Sequence, residues 1–183
     1  MDFQTHLVIG MSMLMRMDMV IQRATEIGVT TITPVFTERS MTNSINGKEL
    51  PNFNKYDTAQ LQLDNLNSHW KNIVDSQSRQ CMRRIPPVIN PVVTLQEYLA
   101  NSTDSGVKLI FHSKSIIGFA DITSPCDSVI LLTGPEKGFT EAEITASSEY
   151  NFTPVRLGPR ILSCVSAPLT AISIAQYKWG DMC

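Results

Sequence analysis

Apolar residues along the chain repeat with two periods. Short runs rich in branched side chains at 7–10, 29–35, 88–89, 107–111, 129–132 and 152–157 predict strands, and the continuous runs suit strands buried on both faces. Between them the spacing becomes helical. Met17, Val20, Ile21, Ala24 and Ile27 share one helical face that ends at Gly28, a residue suited to a helix C-cap. A helix is therefore predicted over 17–27, although Met11, Met13, Met15, Met17 and Met19 alternate as a strand would, and the earlier methionines are assigned to adaptable packing. Ser68 is the predicted cap of a helix that carries Trp70, Ile73, Val74 and Cys81 on one face and stops before Pro86-Pro87. Thr94 with Glu97, and Thr140 with Glu143, have the spacing of capping boxes and open two further helices. Ser166 is the predicted cap of the last helix, with Leu169, Ile172, Gln176 and Trp179 along one side.

Strand and helix patterns alternate through all 183 residues without a repeat or a linker-like cluster. That predicts one α/β domain over 1–183, a mostly parallel sheet with helices on both faces. The polar stretch 41–67 is long for a connection without structure of its own and reads as a lid or a loose loop. A net charge of -2 provides no global positive field toward nucleic acid, so any RNA contact must be local or helped by another part. Cys81, Cys126, Cys164 and Cys183 form no C-x-x-C pair and no Cys/His ligand spacing, which indicates neither a metal site nor a disulfide framework. No basic leader opens the chain, and Arg16 and Asp18 interrupt its first apolar residues well short of a membrane span. The expectation is a cytoplasmic protein with reduced thiols, no membrane partner and no metal.

Candidate chemistry gathers after two strands. V-I-L-L-T-G-P-E-K-G-F at 129–139 is a buried strand stopped by Gly134-Pro135, and V-R-L-G-P-R-I-L at 155–162 repeats the layout with Gly158-Pro159. Loops at the carboxyl ends of parallel strands are where ligands bind, and Gly134 and Gly138 let backbone approach one closely. Neither the G-x-G-x-x-G loop nor the P-loop pattern is present, so by residues alone the first loop reads equally as a ligand site or as an ordinary strand-to-helix turn. His6, His69 and His112 show no positioned proton donor and are assigned to structure, as is Cys164, read as a buried thiol. Arg39 begins the loop after the second strand. Arg16, Arg23, Arg39, Arg83, Arg84, Arg156 and Arg160 are the cations able to grip phosphate, and the cluster at Arg79, Arg83 and Arg84 is the better RNA candidate because its charges add.

G-P-E-K-G-F-T-E-A-E-I at 134–144 and L-G-P-R-I-L at 157–162 resemble segments of the bacterial 16S ribosomal RNA uridine-N3 methyltransferases, a branch of the SPOUT methyltransferases. R-M-D-M-V-I-Q-R-A-T-E-I-G-V at 16–29, T-P-V-F-T-E-R-S at 33–40 and Q-C-M-R-R-I-P at 80–86 are similar to that family in the same order. The resemblance implies a C-terminal deep trefoil knot, bent S-adenosylmethionine held in it, dimerisation through knot helices, and 16S ribosomal RNA or the small ribosomal subunit as partner. It assigns cofactor binding to Phe111, His112, Thr133, Gly134, Glu136, Gly138, Leu157, Gly158, Ile161 and Leu162. Arg39 and Arg160 are the catalytic candidates, and Arg16, Arg23, Arg83 and Arg84 the RNA-binding ones. It also implies an N-terminal PUA-like barrel, which this chain starts too late to contain.

Two positions depart from the family pattern. Lys137 stands where a second glycine is usual, and residues 163–167, Ser-Cys-Val-Ser-Ala, stand where the family reads Arg-Thr-Glu-Thr-Ala. The second departure removes an arginine and a carboxylate beside the expected reaction centre. It supplies a competing expectation, a truncated or degenerate knotted RNA-binding or assembly module without turnover. A nucleotide-binding domain unrelated to methyl transfer is a weaker third, because both phosphate-loop patterns are missing. For the dimer, Ile174 and Tyr177 widen the apolar surface of the last helix beyond one stripe, and Trp179 or its neighbours are expected at the interface. The alternative is that Ile174 and Tyr177 pack under the loop 41–67.

Overall fold

The computed structural model describes residues 3–40, 56–103, 105–123 and 127–182, with side chains described from 61 onward in the second stretch. In chain order the elements are β1 (Gln4–Gly10), α1 (Leu14–Glu26), β2 (Thr31–Phe36), α2 (Tyr56–Gln80), β3 (Val88–Ile89), β4 (Val93–Thr94) and α3 (Leu95–Asn101). They continue with β5 (Val107–Phe111), a 3-10 turn at Phe119–Asp121, β6 (Ser128–Thr133), α4 (Glu141–Glu149), β7 (Thr153–Val155) and α5 (Ser166–Trp179). Every strand pair among the described residues is parallel, in the order β3-β2-β1-β6-β5-β7, with β4 joining the far end of β2.

The continuous apolar runs are explained by cover on both faces. Leu7, Ile9, Leu109, Val129 and Leu131 point to a core shared with α1, α2 and α5, while Val8, Ile110, Ile130 and Leu132 point to a second core under α3 and α4. The pleat alone sends neighbouring residues to opposite sides, so both must be apolar. α1 buries Met17, Val20, Ile21 and Ala24, and Gly28 follows it at φ +99°. The helix starts earlier than its periodicity predicts. Of the methionines before the predicted start, Met11 packs in the core as expected, whereas Met13 and Met15 lie on the outer side, with Met15 76% exposed.

Two other expectations, both of helix starts, are corrected. Ser68 does not cap α2: the helix already runs from Tyr56, and the Ser68 hydroxyl donates back to the Asp64 carbonyl at 2.9 Å. Leu63, Leu66, Trp70 and Val74 carry the same apolar stripe one turn further back, which is the signal that places the earlier start. Only the part of 41–67 from 56 onward is described, and it is helical, so the lid reading of 41–55 lies outside the described residues. Ser166 is the first residue of α5 and not its cap; the Ser166 N–H donates to the Ser163 hydroxyl at 3.0 Å. Trp179 packs within its own chain, its ring centroid 6.1 Å from Phe3 and 5.8 Å from Phe119. Ile174 also packs on the core, whereas Tyr177 is 68% exposed.

Gln176, expected on the apolar side of α5, is buried and polar for a reason. Its amide donates to the Gly28 carbonyl at 2.8 Å and to Thr5 Oγ1 at 3.2 Å, which fastens α5 to β1 and the end of α1. No helix among the described residues is long and apolar enough to cross a membrane.

Candidate functional site

Because β6, β5 and β7 are parallel neighbours, their carboxyl ends reach the same edge of the sheet and their following loops meet there. They bound a cavity of about 360 Å³ lined by Phe111 and His112 at the end of β5, Gly134 to Phe139 after β6, and Leu157 with Arg160 to Cys164 after β7. The middle loop is a tight turn. Gly138 N–H donates to the Pro135 carbonyl at 2.9 Å and Gly138 takes φ +65°. A Cβ on Gly134 would stand 3.0 Å from Gly138 Cα, and one on Gly10 would stand 2.5 Å from Pro135 Cδ. The turn is thus pressed onto the end of β1, a contact that reading Gly10 as a plain strand end does not reveal. Lys137 is not among the positive-φ residues, so its side chain is no burden on the turn where the family has glycine.

Of the residues assigned to the site from sequence, Phe111, His112, Gly134, Glu136, Gly138, Leu157, Ile161, Leu162, Arg39 and Arg160 meet at this cavity. Thr133 and Gly158 do not line it. Thr133 is buried beneath the turn, its hydroxyl without a partner among the described residues, and Gly158 contributes its φ of +88° to the turn after β7. Arg39 is brought in by long-range bonds: its Nη1 donates to the Lys137 carbonyl at 3.0 Å and the Phe139 carbonyl at 3.1 Å. Glu143 does more than close the Thr140 capping box. One carboxylate oxygen accepts from Thr140 N–H at 2.8 Å, and the other accepts from Glu38 N–H at 2.8 Å, which ties the loop after β2 to α4. Arg160 is exposed at the cavity, and Ile161 beside it is 85% exposed.

The cations proposed for RNA are distributed otherwise. Arg16 Nη1 pairs with Glu136 Oε1 at 2.9 Å and stands 3.9 Å from Cys164 Sγ; Cys164 and Glu136 together hold its guanidinium further in the charged form. Arg23 pairs with Glu26 at 2.9 Å. Arg83 donates to the Thr25 carbonyl at 3.0 Å, and burial lowers its pKa, so it is partly a structural residue, while Arg79 and Arg84 are exposed. Cys164 is half-exposed on the cavity wall and not the buried thiol expected. His6 and His69 do have partners, Thr33 Oγ1 at 2.8 Å and Asp18 Oδ2 at 2.9 Å. No group of three or more His, Cys, Asp or Glu among the described residues is arranged to hold a metal ion.

A parallel α/β sheet with glycine-bearing turns closing a cavity at its carboxyl edge defines a small-ligand-binding domain of the doubly covered kind. The chain belongs to the RNA methyltransferase domain family, whose model matches residues 1–176. It is 33% identical over 166 residues to ribosomal RNA small subunit methyltransferase E of Buchnera aphidicola from Acyrthosiphon pisum, covering 91% of this chain and 60% of that protein. The chain spans about 60% of the length of such curated relatives. The crystal structure of ribosomal RNA small subunit methyltransferase E from Neisseria gonorrhoeae bound to S-adenosylmethionine superposes with a TM-score of 0.85 at 30% identity, covering 99% of this chain and 68% of that one. A methyltransferase of Legionella pneumophila, in complex with the same cofactor, gives 0.83 at 31% identity over 98% of this chain and 68% of its own.

Proposed function

We propose that this chain is an S-adenosylmethionine-dependent methyltransferase that acts on uridine N3 of 16S ribosomal RNA in the small ribosomal subunit and works as a homodimer. The observation that carries the reading is the cavity at the carboxyl ends of β5, β6 and β7, in a chain whose similar solved structures hold S-adenosylmethionine. The residues present fit that cofactor. Phe111, Leu157 and Leu162 offer apolar walls to a purine, the turns at 134–138 and 157–162 offer backbone groups, and one oxygen of Glu136 is buried without a donor among the described residues. When bound, the cofactor supplies an electrophilic methyl group on a sulfonium.

The chain's own contribution is alignment and electrostatics. The turn after β6, fixed by Arg39 through its two carbonyls, holds the ligand in register with the incoming base. Arg160, exposed at the cavity, stabilises negative charge on the uracil ring or a neighbouring phosphate. Arg79 and Arg84, both exposed, serve the RNA backbone. The trefoil knot belongs to the same proposal. It is supported by the loop after β5 gripping the chain beyond β7: Phe119 N–H to the Arg156 carbonyl at 3.0 Å, Arg156 N–H to the Ile117 carbonyl at 2.9 Å, and Lys178 Nζ to the Ala120 carbonyl at 3.0 Å. The homodimer is supported by the exposed side chains of Met15, Met19 and Tyr177. Calorimetric titration with S-adenosylhomocysteine tests the pocket: saturable binding to one site per chain is expected, and absence of heat at millimolar ligand rules the reading out.

A second reading, a knotted RNA-binding module without turnover, draws on one observation. Where the family carries an arginine and a carboxylate, this chain has Ser163, whose hydroxyl is engaged with Ser166 at the start of α5, and Val165. Cofactor binding without methyl transfer to small ribosomal subunits would favour it.

A further inference from the structure

The rim of the cavity carries more positive charge than the fold employs. Lys114, Lys137, Arg160 and Arg39 line it, against the carboxylates of Glu136 and Glu141. Both acids are engaged: Glu136 pairs with Arg16 at 2.9 Å, and Glu141 stands in the first turn of α4, where a carboxylate answers the amino end of the helix dipole. Arg39 donates to two backbone carbonyls. Lys114, Lys137 and Arg160 are exposed and form no ion pair among the described residues. Like charges on one rim repel unless an anion lies among them. S-adenosylmethionine answers them poorly, because its sulfonium and ammonium outnumber its carboxylate, whereas a polyanion answers them well.

Lys137 is the cation whose origin is fixed most firmly. Its carbonyl accepts from Arg39 Nη1 at 3.0 Å, and the next N–H, that of Gly138, donates to the Pro135 carbonyl at 2.9 Å, so the side chain leaves a backbone held on both sides. Lys137 also stands where the family has glycine, and Ser163, which lines the same cavity, stands where the family has arginine. One departure adds a positive charge to the cavity and the other removes one. We propose that Lys137 binds an RNA phosphate beside the target base, and that it supplies from the turn after β6 the charge this chain lacks at 163. The inference rests on the proposed function and deepens it. Arg79 and Arg84 do not reach that phosphate: they flank the passage from α2 to β3, whose Val88 pairs with Thr31 at the amino end of β2, a strand's length of about 20 Å from the cavity edge.

The test is binding of unmodified small ribosomal subunits over a salt series by the wild type, Lys137→Gln, Lys137→Arg, and Lys137→Gln combined with Ser163→Arg. Calorimetry with S-adenosylhomocysteine and a thermal melt accompany each variant. Lys137→Gln is expected to weaken subunit binding by up to about fivefold at low salt. It should also lower the slope of log affinity against log salt by about 0.7 to 0.9, the share of one phosphate contact. Affinity for S-adenosylhomocysteine should stay the same, since the backbone of the turn is untouched. Lys137→Arg should keep the wild-type slope, and Ser163→Arg should restore it to Lys137→Gln. An unchanged slope in Lys137→Gln overturns the inference and leaves the proposed function standing, and so does a fall in S-adenosylhomocysteine affinity, which would put the lysine on the cofactor. A folded double variant that keeps the lowered slope overturns the exchange with 163; should it not fold, Lys137→Gln against Lys137→Arg decides. A wild type that binds no subunits overturns the inference and the proposed function together.

Discussion

Gly138 sits at φ +65° with nothing within 4 Å of where a Cβ would go, so its requirement for glycine is conformational and not steric. Left-handed backbone costs an ordinary L-residue about 1–2 kcal/mol, and asparagine least among them. Calorimetric affinity for S-adenosylhomocysteine is accordingly expected to rank wild type above Gly138→Asn and Gly138→Asn above Gly138→Val; equal affinities would mean that the turn does not shape the pocket. Met82 is the converse case. It holds φ +57° beyond the end of α2 and is 89% exposed, so it carries the strain of that backbone without packing in return. Met82→Gly should raise the melting temperature, by up to about 1 kcal/mol of stability after glycine's entropic cost. The glycines of the site were legible because a strand end followed by Gly-Pro is a local signal. The Arg16–Glu136 pair was not, since 120 residues separate its members and each reads as a surface charge alone.

Helix starts were legible where the cap lies within three residues of its partner, and Thr94 with Glu97 and Thr140 with Glu143 form the expected boxes. They were misread where several hydroxyls compete: Ser163 does for α5 what Ser166 was expected to do, and Ser68 sits mid-helix. Glu97 accepts from Thr94 N–H at 2.8 Å and from the Thr94 hydroxyl at 2.8 Å, and these bonds, the backbone one foremost, hold its pKa below the ordinary carboxylate range. Its folded pKa lies below the unfolded one, so the stabilisation is complete above the unfolded value and is lost as pH falls through the folded value. Denaturant melts of Glu97→Gln should therefore approach the wild type in acid and diverge at neutral pH; a constant gap would contradict the cap. At α5, Gln176→Leu strips the Gly28 carbonyl of its donor and should cost about 1–3 kcal/mol in the same assay.

For the whole molecule, alternating strand and helix patterns made the doubly covered parallel sheet legible, because both faces must be apolar wherever both are covered. Strand order and side were not, since nothing local tells β6 to lie between β1 and β5. The same limit applies to α5: Trp179 meets Phe3 and Phe119 within the chain and stays partly exposed, and a wide apolar face looks alike in sequence whichever partner covers it. The dimer proposal keeps Trp179 with its neighbour Tyr177 and adds Met15 and Met19, exposed on α1. Light scattering should give twice the chain mass, reduced to one chain by Tyr177→Glu; a wild-type mass of one chain removes the dimer and any completion of the site across it. The central claim is methyl transfer to uridine N3, and its most direct test is incubation of the chain with methyl-labelled S-adenosylmethionine and unmodified small ribosomal subunits, followed by nucleoside mass spectrometry. Label in 3-methyluridine of the 16S RNA is the predicted result. Bound cofactor with no label in any nucleoside would contradict it.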